Sequence, residues 1–230
     1  GSLKQIDASN GHVYGVNDAG GIYTWNVNQW VQVPGGLTHV TVGPAGVWGV
    51  NSQNLIYRLV AGSWVQISGL LKQIDAGGPQ FVSGANMNDD IYCLNKNAAI
   101  TVRDGSGLPW INIPGKLKYY ASGPLGCWGV NSNDDIYFRT DVVTDSCVGT
   151  QWQQIDGKLS MIEVSTDGSV YGVNSAGELY RRDGISCNSP TGTTWTKVEI
   201  PGNKLVKHVS SDLGIVWLIE TDGSILKCNQ

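Results

Sequence analysis

Charge is what this chain has least of. Asp, Glu, Lys and Arg together make up 15% of its 230 residues, against about 25% in an average soluble domain. The formal net charge is −4 and no basic cluster stands out, which argues against nucleic acid or an anionic membrane surface as the main partner. No apolar run approaches the roughly 20 residues of a helical membrane span, so no membrane insertion is expected. Gly1-Ser2-Leu3-Lys4 is not a secretory signal, so any such leader is removed or lies outside this stretch. Phe and Met, common core fillers, occur twice each. Five cysteines lack any Cys-x-x-Cys spacing, which weighs against a zinc ribbon or a redox motif.

What is plentiful is glycine, at 31 residues, with nine Trp and nine Tyr. That mixture suits short strands joined by tight turns. An internal repeat organises it. Val13-Tyr14-Gly15-Val16-Asn17 returns as Val47-Trp48-Gly49-Val50-Asn51, Val82-Ser83-Gly84-Ala85-Asn86, Cys127-Trp128-Gly129-Val130-Asn131 and Val170-Tyr171-Gly172-Val173-Asn174. Six residues after each Asn stands a Tyr (23, 57, 92, 137, 180), and 14 or 15 before it a Leu (3, 37, 71, 117, 159). A degraded sixth copy starts at Leu205 and runs through Val216-Trp217-Leu218-Ile219-Glu220 to Leu226. Between copies lies an alternating segment opened by Trp30, Trp64, Trp110, Trp152 or Trp195, which reads as a half-buried strand.

Each unit therefore holds four short strands, the composition of a propeller blade. The expected fold is all-β: one six-bladed β-propeller domain over residues 1–230, with repeats starting near 3, 37, 71, 117, 159 and 205. The small segments Val42-Gly43-Pro44, Asp75-Ala76-Gly77, Ala121-Ser122-Gly123 and Val209-Ser210-Ser211 belong at the crowded centre, and the Trp strands outermost, packing blade against blade. The Tyr-to-Trp gap grows from 7 to 18, 15 and 15 residues in blades three to five, so the insertions fall in loops on one face. The recurrent Gly-x-Asn reads as a tight-turn element, since Asn bonds its own backbone and tolerates left-handed conformations.

The pattern Gly-Pro-x-Gly-x-Trp-Gly-Val-Asn, seen at 43–51 and 123–131, followed by Ile-Tyr, resembles the tectonin repeat. Leu70 to Gly77, Asp89 to Asn95 and Leu159 to Val164 are most similar to the fish-egg lectins within that family. The resemblance implies a secreted, extracellular, calcium-independent or weakly metal-dependent lectin of innate immunity. Its partners would be glycans containing N-acetylglucosamine and bacterial surface glycans such as lipopolysaccharide. The competing class is a non-enzymatic protein-interaction scaffold, because tectonin repeats also occur inside large intracellular proteins.

Catalysis finds little support. No Gly-x-Ser-x-Gly elbow is present. His12, His39 and His208 sit in different repeats without metal-ligand spacing, so no metal and no cofactor is expected. Asp104-Gly105, Asp167-Gly168, Asp183-Gly184 and Asp222-Gly223 read as turn formers. Asn86 to Asp90 and Asn131 to Asp135 faintly resemble a calcium loop but lack its Gly and its Glu, which favours solvated turns. Binding has better material. The inner-strand entry and the turn between second and third strands share one face, which collects Lys4, His39, Lys72, Lys118 and Lys207 with Asn17, Asn51, Asn86, Asp89, Asn131, Asp134, Asp135 and Asn174. Amides and carboxylates suit sugar hydroxyls, and Tyr119 or Tyr120 offers an aromatic face to a pyranose. The carbohydrate-site candidates are Lys72, Asn86, Asp89, Lys118, Tyr120, Asn131, Asp134 and Asp135. Several sites or subunits engaging one surface would add avidity, so a homo-oligomer is a further expectation.

The cysteines are read as oxidised, wholly or in part, with buried free thiols as the alternative. Cys147 and Cys187 occupy comparable places in the long loops of blades four and five and form the first candidate disulfide. Cys93 with Cys127 is the second. Six inner units but five Trp strands occur, and Gly1 aligns with Gly35, Gly69 and Gly115. Blade six is thus expected to show three strands, its outer strand belonging before Gly1, with Cys228 unpaired in this chain.

Overall fold

The computed structural model describes residues 1–101, 107–143 and 146–229. Among them, antiparallel strands form six small sheets set around an axis, a six-bladed β-propeller. Blade one comprises Gln5–Ser9, His12–Val16, Ile22–Asn26 and Gln29–Val33. Blades two to five repeat that four-stranded order. Blade six has three strands among the described residues, Val206–Asp212, Ile215–Glu220 and Ile225–Asn229. One short helix, Lys96–Thr101, lies in the long loop of blade three. The long loops of blades three, four and five all join third to outer strands, on the face opposite the Asn turns. Asp104-Gly105 lies outside the described residues.

The inner strands are the predicted small-residue segments, and each packs on the next around the ring, the first against the last. At one end they approach so closely that a Cβ on Gly43 would stand 1.8 Å from the Ala76 carbonyl oxygen. Side chains stitch the blades together. Gln5 donates to the Val40 carbonyl at 2.8 Å and accepts the Val40 N–H at 2.9 Å. Gln73 does the same with Tyr120, at 3.0 Å each way.

The repeated Leu explains the repeated Gly. A Cβ on Gly15, Gly49, Gly84, Gly129 or Gly172 would lie 2.4–2.9 Å from a δ-carbon of Leu3, Leu37, Leu71, Leu117 or Leu159. This Gly makes room for a buried Leu; the Asn alone closes the turn. The Leu backbone does a second job. The N–H of Leu37, Leu71, Leu117 and Leu159 donates to the turn carbonyl of the preceding blade, at Gly20, Asn54, Asp89 and Asp134, over 2.9–3.0 Å. Leu3 donates to Gly223 at 2.9 Å, so blades six and one are joined as the others are. Blade six inverts the pattern. Leu218 fills the Gly position, buried, while Leu205 is 49% exposed. A register shift between Val206 and His208 lets Val206 take over the inter-blade bond to Gly177 at 2.9 Å.

The outer tryptophans latch blade to blade. The indole N–H of Trp64, Trp110, Trp152 and Trp195 donates to the carbonyl of Pro34, Ser68, Pro114 and Asp156, in or just after the preceding blade's outer strand, at 2.5–2.9 Å. The residue after each acceptor is glycine with positive φ. At Gly115 (φ 128°) a Cβ would meet the Trp152 indole nitrogen at 2.7 Å. The matching place between blades five and six is an apolar cleft of about 390 Å³ lined by Tyr171, Leu179, Val198, Ile200, Val216 and Cys228.

The cysteine expectation is corrected. The disulfide is Cys93–Cys147, with Cα atoms 6.1 Å apart, and Cys127, Cys187 and Cys228 are free. Neither Cys147–Cys187 nor Cys93–Cys127 forms. The long loops lean back onto the preceding blade, as the Cys147 N–H donating to Asn95 Oδ1 at 3.1 Å shows. The two loops also align differently in space than in sequence. Arg139 Nε donates to the Val148 carbonyl and Arg182 Nε to that of Thr191, so Cys147 corresponds to Pro190. Cys187 sits three residues earlier, exposed. Where blade three offers Cys93, blade four offers Phe138, and Phe138 and Pro190 line one cleft.

Candidate functional site

The Asn of each repeat is committed to its turn. Asn131 Oδ1 accepts the N–H groups of Asn133 and Asp135, at 2.9 Å each, and its amide donates to Asp135 at 3.1 Å. Asn86 does the same with Asn88 and Asp90. These are the solvated turns expected of 86–90 and 131–135. The left-handed fourth residue, Asp89 (φ 63°) or Asp134 (φ 65°), is ion-paired with the lysine at its own blade's inner-strand entry, Lys72 or Lys118. The next acid takes a lysine from the outer strand, Lys116 to Asp90 at 2.5 Å and Lys158 to Asp135 at 2.6 Å. The Lys116 and Lys158 ammonium groups, then the turn amides, hold Asp90 and Asp135 below the usual carboxylate range. Glu178, held by Lys197, behaves likewise.

The fold therefore gathers the candidates into two equivalent clusters, Lys72, Asn86 and Asp89 in blade three and Lys118, Asn131, Asp134 and Asp135 in blade four. Tyr120 does not join them. It is fully buried, ring to ring with Trp152 at 5.8 Å. Inner-strand alternation turns it into the inter-blade core, so it has no face to offer a ligand.

Beside the blade-four cluster opens a groove of about 220 Å³ lined by Gly115, Lys116, Leu117, Asn131, Tyr137 and Trp152. Its floor is the Leu packed over Gly129, and its walls are the half-buried rings of Tyr137 and Trp152, 6.4 Å apart and steeply inclined. The Trp152 indole is held in place by Pro114, and the Arg139 guanidinium covers it at 4.9 Å. Tyr57 with Trp64, Tyr92 with Trp110 and Tyr180 with Trp195 stand at the same register positions, all half-buried. The repeat thus places a Tyr and a Trp at equivalent positions in blades two to five, and between blades three and four they wall an aromatic groove with polar rims. The sequence candidates are the rim residues; of the walls, the recurring Trp is expected from the sequence only to pack blade against blade, and the recurring Tyr carries no expected role.

Among the described residues no group of three or more His, Cys, Asp or Glu side chains is arranged to hold a metal. No helix among them is long and apolar enough to cross a membrane.

Solved structures with this architecture include human WBSCR16 (10% identity, TM-score 0.62, covering 99% of this chain and 77% of that one). YCF48 from Cyanidioschyzon merolae is another (14%, TM-score 0.59, 100% and 82%). At such identities the likeness is one of fold. A relative much nearer in sequence is the Fish-egg lectin of Cyprinus carpio, 51% identical over 230 residues, which span 99% of this chain and 95% of that protein. The Tectonin domain family model matches residues 2–221. The chain belongs to the tectonin family of β-propellers.

Proposed function

We propose that this protein is a lectin that binds glycans containing N-acetylglucosamine outside cells, including those of bacterial surfaces such as lipopolysaccharide, in innate defence and without enzymatic turnover. The observation that carries the reading is the 51% identity to carp Fish-egg lectin along 99% of the chain. The groove between blades three and four supplies the chemistry. A half-buried Tyr–Trp wall receives the apolar face of a pyranose, while the lysine, Asn and Asp side chains of the rim meet its hydroxyl and acetamido groups. The clusters Lys72–Asn86–Asp89 and Lys118–Asn131–Asp134–Asp135 form the rims of this site. Because those groups are already paired with one another, a sugar must exchange partners rather than find free ones. Each groove is shallow and buries few ligand atoms, so one monosaccharide binds weakly. Equivalent Tyr–Trp positions in blades two to five, carried on one rigid ring, engage a repetitive surface with avidity. A glycan array on the purified protein tests this. Selective retention of amino-sugar glycans supports the reading; binding to no glycan, or glycoside hydrolysis by the pure protein, overturns it.

A further inference from the structure

Trp152, one wall of the groove between blades three and four, is held by its neighbours in different ways. Its indole N–H rests on the Pro114 carbonyl at 2.5 Å, its ring meets Tyr120 edge to face at 5.8 Å, and the Arg139 guanidinium lies over it at 4.9 Å. Pro114 and Tyr120 are fixed in strands, Ile111–Lys116 and Tyr119–Gly123. Arg139 is the support whose own seat depends on a loop. The residue is 4% exposed, and its Nε donates to the Val148 carbonyl at 2.7 Å. Val148 follows Cys147, which is bonded to Cys93 and whose N–H donates to Asn95 Oδ1 at 3.1 Å. Both half-cystines share one buried cluster with Leu117 and Tyr120, and Tyr137, Val148 and Trp152 pack against it. Disulfide and groove are two sides of one core.

Charge makes the Val148 carbonyl matter. Burial pulls the Arg139 guanidinium below its usual value, and the offset comes from Tyr120 and Cys127, side chains that burial keeps neutral. A buried cation is costly unless it is paired and hydrogen-bonded, and Arg139 relies on one carbonyl and one aromatic face. Blade five builds the same arrangement differently. Arg182 Nε donates to the Thr191 carbonyl at 2.8 Å, and its guanidinium lies 5.2 Å over Trp195. There the offset to burial comes from carboxylates, Asp156 and Asp183, and Cys187 in the loop is free. The seat of Arg182 needs no bridge; that of Arg139 has one.

We infer that the Cys93–Cys147 bond is part of the sugar site: acting through Val148 and Arg139, it positions the Trp152 ring as the wall on which a pyranose stacks. The inference rests on the lectin reading above. Cys93, Cys147 and Arg139 are positioning residues, and none of them lines the groove. Binding on the face of the Asn turns is thereby tied to a loop on the opposite face.

The test is indole NMR with titration by an N-acetylglucosamine trimer. It compares the parent, Cys93→Ala with Cys147→Ala, Arg139→Gln and the combination of all these substitutions, with Cys187→Ala as control. Before sugar is added, the Trp152 indole N–H signal should move and exchange faster with solvent in the bridgeless and Arg139→Gln proteins, while Trp195 stays in place. With sugar, affinity read at Trp152 should fall about 2–30-fold in each, the strength of the cation–π contact that held the ring. The combined variant should lose no more than the weaker binder of the two, because both changes act through Arg139. Cys187→Ala should match the parent. Dithiothreitol added to the parent, with thiols counted by mass, reads the opened bond even where the bridgeless variant fails to fold. An unchanged Trp152 signal and affinity once the bond is open, losses that add, or an equal disturbance of Trp195 overturns the inference. A parent whose indoles ignore the sugar overturns the lectin reading instead, and the sugar-free spectra then still decide what seats Trp152.

Discussion

Replacing Gly172 with alanine tests whether the repeat is a steric code. Gly172 lies mid-strand in Val170–Val173 and is not among the positive-φ residues. Alanine there would ordinarily stabilise the chain by about 0.4–1 kcal/mol through the unfolded state. The added Cβ, however, falls 2.4 Å from Leu159 Cδ1 and 3.0 Å from the Met161 carbonyl oxygen. Overpacking of that kind costs about 1–3 kcal/mol. Leu159→Ala alone removes a side chain that is 2% exposed and costs about 2–5 kcal/mol. In the double variant the Cβ enters space that the Leu has left, so the two costs should not add; a coupling of about 0.5–3 kcal/mol is expected. Blade six already carries the natural version, with Leu218 inside and Leu205 outside. Urea unfolding followed by tryptophan fluorescence measures all four corners of the cycle. At this chain length each kcal/mol corresponds to about 2–4 °C in Tm. A Gly172→Ala protein as stable as the parent, or costs that simply add, would refute the steric pairing.

Cys93→Ser should lower stability by about 4 kcal/mol on the chain-entropy estimate for its 54-residue separation, whereas Cys187→Ser should leave urea midpoints unchanged. Phe138→Cys with Pro190→Cys should create a second bridge between blades four and five, seen as a cross-linked peptide under non-reducing digestion; a cross-link from position 138 to Cys187 instead would contradict the loop alignment. Burial first, then Asp7, raises Asp75 to about 8. Since its folded value lies above its unfolded one, its contribution is full below about pH 4 and is lost as pH rises toward 8. Asp75→Asn should therefore flatten the decline in stability between those limits, and an unchanged pH profile would exclude Asp75 as its source.

The blade count and the inner and outer strands were legible because one residue type recurs wherever one physical demand recurs: Leu over Gly, Trp against the preceding strand, Asn in the turn. Blade six, where Glu220 replaces Asn, was still recognisable from its spacing, but the bulge that hands Leu205's place to Val206 leaves no local mark. The Cys93–Cys147 bond escaped because pairing depends on which way a loop leans, and the two loops share a sequence pattern, Ser-Cys, that is three residues out of spatial register. Tyr120 was misplaced because adjacent tyrosines on an inner strand face opposite sides, and nothing local says which is enclosed.

The most direct test of the central claim is a tryptophan-indole NMR titration with an N-acetylglucosamine oligomer. Binding in the grooves should shift the side-chain N–H signals of Trp64, Trp110, Trp152 and Trp195 and leave buried Trp48 and Trp128 in place, and Trp152→Ala should remove one set of changes while the others persist. Saturation by the oligomer with those four signals unmoved, or no binding by a correctly folded protein, would contradict the account.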